Sequence, residues 1–137
     1  MFSHVSRFKV RFGETDAAGI VYYPNYYKWM DQATHDLMFA AGFSTRRLME
    51  EELGVPLIEA QCRFQGPLRF EDEVKLVSAV TEVRNKVFRL SHQFYHGDRL
   101  VAEGYEVRAW VSFRGGTLKA QALPQALRDQ LLSSPTV

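Results

Sequence analysis

The stretch from Phe12 to Ala41 opens with F-G-E-T-D-A-A-G-I-V-Y-Y-P-N-Y-Y-K-W-M-D-Q-A and continues as an apolar helical pattern. Its first half places an acid, Asp16, before small residues and is expected to be irregular. Its second half repeats apolar residues at the spacing of one buried helix face: Tyr26, Met30, Ala33, Leu37 and Ala41. We therefore predict a helix from about Asn25 to Ala41, closed by Gly42.

The junction between these two halves is the first candidate for chemistry. A helix start presents backbone N–H groups without intrahelical partners, and the peptide dipoles add partial positive charge there. Such an end can hold a carbonyl oxygen or a developing oxyanion, and a carboxylate just upstream can act on the same carbonyl as nucleophile or general base. Taken alone, Asp16 equally suits a turn or a helix cap, so both interpretations stay open.

The same residues carry a resemblance to a known family. The pattern Asp16-x-x-Gly19-Ile20-Val21-Tyr22-Tyr23-Pro24-Asn25-Tyr26, followed by Trp29 and Asp31, resembles the signature of hot-dog-fold acyl-CoA thioesterases. It is most similar to the 4-hydroxybenzoyl-CoA thioesterase branch. The resemblance implies that Asp16 is the catalytic carboxylate, that the backbone N–H of Tyr23 polarises the thioester carbonyl, and that Gly19 belongs to the catalytic loop.

Substrate-binding residues follow from the resemblance in the same way. It implies that Val21, Tyr22 and Tyr26 contact the substrate, although each tyrosine equally suits packing. It also implies that the basic turn Arg84-Asn85-Lys86 contacts the phosphates of coenzyme A, for which Arg and Lys are chemically suited. The alternative for a charged turn is plain solvation. The segment 66–68 lacks the hydroxyl residue of hydroxybenzoyl enzymes, so the acyl group stays open.

The rest of the chain predicts an antiparallel sheet. Period-two alternation indicates strands over Arg7–Phe12 and from Ile58 to Phe64, then over Val74–Val83, Val87–His96 and Leu100–Phe113. Short helices are predicted over Thr45–Leu53, with Ser44 as N-cap, and Gln125–Leu132. One long amphipathic helix and an antiparallel sheet must bury their apolar faces on each other, which gives an α+β layer with the sheet wrapped around the helix. The resemblance implies the same hot-dog fold.

Composition limits the classes of function. The 137 residues predict one domain spanning residues 1–137, and the net charge of +1 gives no reason to expect nucleic acid or a membrane as partner. Cys62 is the single cysteine and the start of the chain lacks a signal-peptide pattern, so we expect a cytoplasmic protein. His92 and His96 lie four apart on a strand, about 13 Å, and cannot share a metal ion. We expect no metal and no cofactor, because coenzyme A is part of the substrate.

The leading hypothesis is an acyl-CoA thioesterase that acts on an aryl or short-chain ester. The alternatives are a hot-dog hydratase or dehydratase and a non-catalytic acyl-CoA binding module. The resemblance implies a homodimer or a homotetramer built as a dimer of dimers, with active sites at the subunit interface. Pairing two sheets edge to edge also removes exposed strand edges. Asp31 and His35, four apart on the helix, are expected to form a structural polar pair.

Overall fold

The computed structural model describes residues 1–134. It shows an antiparallel sheet packed against one long helix. In chain order the elements are β1 (Ser3–Lys9), α1 (Pro24–Ala40), α2 (Thr45–Glu50), β2 (Leu53–Gly54), β3 (Leu57–Phe64), β4 (Glu73–Val83), β5 (Val87–His96), β6 (Arg99–Ala109), β7 (Val111–Ser112), β8 (Lys119–Ala120) and α3 (Gln125–Leu132). Within residues 1–134, no helix is both long enough and apolar enough to cross a membrane.

Five antiparallel strands form the main sheet in the order β1-β4-β5-β6-β3, and α1 lies across its inner face. The apolar stripe that was predicted on α1 is buried along its whole length, which explains why α1 packs there. Gly42 follows the helix with φ of +94°, a conformation that glycine adopts without strain. The prediction of an α+β layer with one long central helix is confirmed.

Three predicted boundaries are wrong. The strand predicted to reach Phe12 ends at Lys9, and Phe12 begins a short 3₁₀ turn in which its side chain is 74% exposed. The helix predicted to reach Leu53 ends at Glu50, because Leu53 and Gly54 pair with β7 in a second, three-stranded sheet. The strand predicted over Leu100–Phe113 breaks at the buried Trp110, after which β7 joins that second sheet.

Strand β3 is less buried than its alternation predicts. It lies at one edge of the main sheet, and of its predicted apolar face only Cys62 is buried. Ile58 is 59% exposed and Phe64 is 46% exposed. Within residues 1–134 the outer edge of β3 has no strand partner. An apolar, open edge of this kind is a site at which another chain can pair.

Close approach of strands β3 and β6 requires a glycine at position 104. A Cβ added to Gly104 would lie 2.2 Å from the Gln61 carbonyl oxygen and 3.0 Å from the Met30 sulfur. We expect Gly104→Ala to lower the free energy of unfolding by about 1–3 kcal/mol, because the backbone of β3 cannot move away cheaply. Urea unfolding checks this, with Gly66→Ala as control, since the nearest atom to a Cβ there is 3.9 Å away. Equal losses in both variants would contradict the explanation.

Candidate active site

The loop before α1 is closed by its own hydrogen bonds around Asp16. The Asp16 N–H donates to the Ile20 carbonyl at 2.9 Å, and the Gly19 N–H donates to the Asp16 carbonyl at 2.9 Å. The Asp16 Oδ1 accepts the Ala18 N–H at 2.8 Å. Gly19 has φ of +79°, which favours glycine. These bonds fix the backbone that carries the Asp16 carboxylate, and the side chain itself is exposed.

Hydrogen bonds beyond the loop fix its position on the fold. Thr15 and Val21 form an isolated antiparallel bridge. The Val21 N–H donates to the Leu68 carbonyl at 2.8 Å, and the Tyr22 N–H donates to the Glu14 carbonyl at 2.8 Å. The loop is therefore held on one side by the segment that follows β3, and on the other side by the residues that precede the loop itself.

The start of α1 leaves a backbone donor available. Pro24 occupies the first helical position, where a missing N–H costs nothing, and Tyr23 precedes it with φ of −56° and ψ of −33°. No hydrogen bond among residues 1–134 uses the Tyr23 N–H, and no side chain caps this end of α1. The helix dipole adds positive potential at the same place. A carbonyl oxygen or oxyanion is a suitable acceptor for this N–H.

A cavity of about 500 Å³ brings the carboxylate and this helix end together. Among the predicted site residues, the cavity is lined by Asp16, Val21, Tyr23 and Tyr26. The remaining lining is mainly apolar and comes from the loop and the segment after β3: Ile20, Phe64, Gln65, Gly66, Pro67 and Leu68. A mainly apolar cavity lined by an acidic residue and by the residue that starts a helix can hold an acyl group, and these two residue positions suit activation of its carbonyl carbon.

The aromatic residues of the motif divide into buried and exposed ones. Tyr26 is buried against Trp29, Phe64 and Phe94, and this burial raises the pKa of its hydroxyl to about 12. Tyr22 is 52% exposed and its ring packs edge-on against Tyr23 at 5.5 Å. Tyr22 does not line the cavity. Tyr26 therefore forms a wall of the cavity, whereas Tyr22 lies outside it.

The basic turn lies at the opposite end of the sheet from Asp16. The Val10 N–H donates to the Asp72 carbonyl, which places the start of β4 beside the loop, while residues 84–86 follow the end of β4. An 11-residue strand spans roughly 33 Å at about 3.3 Å per residue. Arg84, Asn85 and Lys86 are exposed, and Arg84 Nε donates to Glu82 at 2.7 Å. One chain therefore does not bring this turn to the cavity.

Sequence reasoning missed two residues that hold these segments in place. Arg128 on α3 donates to the Arg84 carbonyl at 2.6 Å, which adds a third basic side chain at the turn. Its only sequence signal is a positive charge on the polar side of a short helix.

Glu14 bonds both to the loop and to α1. Its signal in the sequence is its place two residues before Asp16.

A buried polar cluster lies under the middle of α1, away from the cavity. Glu106 accepts hydrogen bonds from Thr34, from His92 at 3.2 Å and from Arg108 at 2.8 Å. Burial raises the pKa of Glu106, but these hydrogen bonds and the Arg108 charge outweigh it and lower the pKa to about 2. Ser78 lies 2.7 Å from the other ring nitrogen of His92. The cluster thus consists of a carboxylate and a guanidinium that stabilise each other inside the core.

The predicted polar pair on α1 is confirmed and extends this cluster to the surface. His35 Nε2 lies 3.5 Å from Asp31, and Arg108 donates to the same carboxylate oxygen at 2.8 Å. His96, the other histidine considered for a metal pair, lies 3.8 Å from Asp72 and shares no partner with the buried His92. The two histidines therefore have separate structural surroundings.

Comparison with known proteins gives consistent matches over most of the chain. Residues 10–131 match the model of a family described as the thioesterase-like superfamily. A 4-hydroxybenzoyl-CoA thioesterase of Pseudomonas sp. (strain CBS-3) is 28% identical over 124 residues, covering 85% of this chain and 88% of the relative. A 1,4-dihydroxy-2-naphthoyl-CoA hydrolase of Thermosynechococcus vestitus is 33% identical over 94 residues, covering 66% of this chain and 64% of that relative.

Among solved structures, a gentisyl-coenzyme A thioesterase is 41% identical in sequence, with a TM-score of 0.86. The match covers 93% of this chain and 99% of that one. Most of the described fold therefore has a counterpart of the same architecture.

Proposed function

The chain belongs to the thioesterase-like superfamily, and we propose that it hydrolyses an acyl-CoA thioester to the free acid and coenzyme A. It is a thioester hydrolase of the hot-dog fold. In this proposal residues 1–137 form a single domain. The observation that carries the proposal is that Asp16 and Tyr23 line the same mainly apolar cavity, and that no hydrogen bond within residues 1–134 uses the Tyr23 N–H.

The chemistry needs few groups. The thioester carbonyl oxygen accepts the Tyr23 N–H, which stabilises the negative charge that develops there. Asp16 either attacks the carbonyl carbon or removes a proton from an attacking water; a C–O bond forms and the C–S bond breaks. The sulfur leaves as thiolate, which is favourable because a thiol has a pKa of about 8.5. We propose that no metal or separate cofactor takes part, since a carboxylate, a donor and water suffice.

Labelled water tests whether Asp16 attacks the carbonyl carbon, since only that route can put the label into the Asp16 carboxylate. In a single turnover with enzyme in excess, attack by Asp16 gives an acyl anhydride, and its hydrolysis by water can leave the label in the Asp16 carboxylate. If Asp16 acts as general base, all the label goes into the released acid. Mass spectrometry of the peptide that contains Asp16 reads the result directly.

The lining of the cavity favours an aryl acyl group. The rings of Tyr26 and Phe64 pack edge-on against each other at 4.9 Å, centroid to centroid, so they provide one joined aromatic surface of the cavity. Val21 and Leu68 add aliphatic surface. The relatives named above act, by their names, on hydroxybenzoyl, gentisyl and dihydroxynaphthoyl esters. Thiol release from a panel of aryl-CoA and alkyl-CoA esters tests the function and ranks the substrates. Altered unsaturation without thiol release indicates a hydratase or dehydratase, and binding without turnover indicates a binding module.

We further propose that the active unit contains two copies related by a two-fold axis. The open edge of β3 carries exposed apolar side chains from Leu57, Ile58 and Phe64, which suit burial against a second copy. When two β3 edges pair antiparallel, the sheet of the second copy runs in the opposite direction. The end of that sheet that carries its 84–86 turn then lies on the side of the Asp16 loop of the first copy. The 84–86 turn of the second copy is then available for the phosphates of coenzyme A. Two such dimers can form a homotetramer.

We also propose that the protein is located in the cytoplasm, which its single cysteine supports.

Mixed dimers test whether the site is shared. We expect Arg84→Ala/Lys86→Ala to raise KM about tenfold through loss of charge-assisted phosphate contacts. A purified heterodimer of this variant with Asp16→Asn has one site with both elements intact, so at substrate concentrations well below KM its activity should reach about half that of the wild-type dimer, whereas the mean of the two parents is about a twentieth. Differently tagged copies and a thiol-release assay measure this. Heterodimer activity no higher than the mean of the two parents would contradict a shared site.

A further inference from the structure

We propose that Glu14 is a positioning residue that holds the Asp16 loop against the start of α1 for catalysis. The inference rests on the proposed thioester hydrolysis, in which Asp16 and the Tyr23 N–H act on one carbonyl group. Glu14 lies two residues before Asp16 and outside the cavity lining. It therefore acts through other residues rather than on the substrate.

Glu14 accepts four hydrogen bonds, two on its carboxylate and two on its backbone carbonyl. The carboxylate accepts the Arg11 N–H at 2.7 Å and the Trp29 Nε1–H at 3.2 Å. The carbonyl accepts the Tyr22 N–H at 2.8 Å and the Asn25 side-chain N–H at 2.9 Å. Asn25 and Trp29 belong to the first turns of α1, whereas Tyr22 precedes Tyr23 directly. One residue thus connects the loop, the donor and the helix.

The helix side of this connection is rigid. Trp29 is 6% exposed, and its ring packs against Phe8 at 4.7 Å and Tyr26 at 5.4 Å. A hydrogen bond from such a side chain fixes the Glu14 carboxylate relative to α1, and with it the distance between the Asp16 carboxylate and the Tyr23 N–H. Misplacement of a reacting group by about 1 Å can reduce a rate by about a hundredfold.

The contacts require a carboxylate rather than an amide. Each of its oxygens faces a donor, one from the Arg11 backbone and one from the Trp29 indole. Glutamine has the same shape but offers one acceptor oxygen and one NH₂ group, so it leaves one of these donors facing another donor. Glu14→Gln therefore removes part of the connection with almost no change in volume.

We expect Glu14→Gln to lower kcat by about tenfold or more while KM stays within about threefold and the melting temperature changes little. Glu51→Gln is the matched control, because Glu51 is an exposed acid directly after α2 whose carboxylate bonds to Arg47. The kinetics of this control should equal those of wild type. Asn25→Ala removes the donor to the Glu14 carbonyl and should act in the same direction, which provides a second variant if Glu14→Gln folds poorly.

Two further measurements separate positioning from general destabilisation. Amide hydrogen exchange of the peptide that covers residues 15–23 should be faster in Glu14→Gln and unchanged in Glu51→Gln, whether or not the protein turns over substrate. The double variant Glu14→Gln/Trp29→Phe tests whether both residues act through their shared hydrogen bond. If they do, the increase in activation free energy in the double variant should be smaller than the sum of the increases in the two single variants.

The outcomes separate this inference from the proposed function. If wild type releases thiol and Glu14→Gln keeps kcat within about twofold of it, Glu14 does not position the site, whatever the exchange data show. If wild type releases no thiol from any ester, the proposed function fails. The exchange rates then decide whether Glu14 holds the loop, and unchanged rates overturn the inference independently.

Discussion

Asp16→Asn is expected to lower kcat for thioester hydrolysis by roughly a hundredfold or more, because the reaction loses its carboxylate. Asparagine keeps the side-chain oxygen that accepts the Ala18 N–H, so the loop should retain its conformation. What is removed is the negative charge and the ability to attack carbon or to accept a proton from water. Because the interaction is made chiefly in the transition state, KM should change far less than kcat.

Release of free thiol, followed with a chromogenic disulfide on aryl-CoA and alkyl-CoA esters, measures this effect. Asp98→Asn is a suitable control, since Asp98 lies in the turn between β5 and β6 and outside the Asp16 cavity. The control should match wild type. If Asp16→Asn is as active as wild type on every ester, then the fold and family stand but a different group performs the chemistry.

Local sequence predicted the helix and its loop well, because both depend on neighbours in the chain. The stripe on α1 and the N-cap Ser44 follow from spacing and from short-range hydrogen bonds, and both were confirmed. The placement of Asp16 beside Tyr23 was predicted through the family motif, and the cavity that contains both is compatible with that prediction. Their catalytic roles stay predictions until the variants are measured.

Features that depend on tertiary structure were not accessible from the sequence. The exposure of Ile58 and Phe64 depends on β3 lying at the sheet edge, which the alternation of a single strand cannot show. The separation of the 84–86 turn from Asp16 depends likewise on the direction of β4. Strand β6 does not follow the rule that charged side chains face solvent and apolar ones face the core. Its residues Glu106 and Arg108 are buried, whereas Tyr105 and Val107 are only half-buried. The mutual ion pair of Glu106 and Arg108, 2.8 Å long, and the further hydrogen bonds that each makes compensate for this burial.

The buried ion pair leads to the second large effect, on stability. We expect Arg108→Leu to lower the free energy of unfolding by about 3–5 kcal/mol, because it leaves the Glu106 carboxylate charged and uncompensated in the core. Replacing both partners, in Glu106→Leu/Arg108→Leu, should cost less than Arg108→Leu alone. The control Arg89→Leu removes an exposed guanidinium that stacks on Tyr105 at 4.0 Å and should cost no more than about 1 kcal/mol.

The dependence on pH gives this prediction a distinct signature. The pKa of Glu106 is lowered from 4.5 to about 2 in the folded protein, so its contribution to stability is present above pH 4.5 and is lost as the pH falls toward 2. In Arg108→Leu the remaining carboxylate becomes neutral at low pH, so its penalty disappears. The difference between wild type and Arg108→Leu in urea unfolding should therefore be large at pH 7 and should shrink toward pH 3. A difference that stays constant over this range would mean that lost packing, rather than an uncompensated charge, causes the destabilisation.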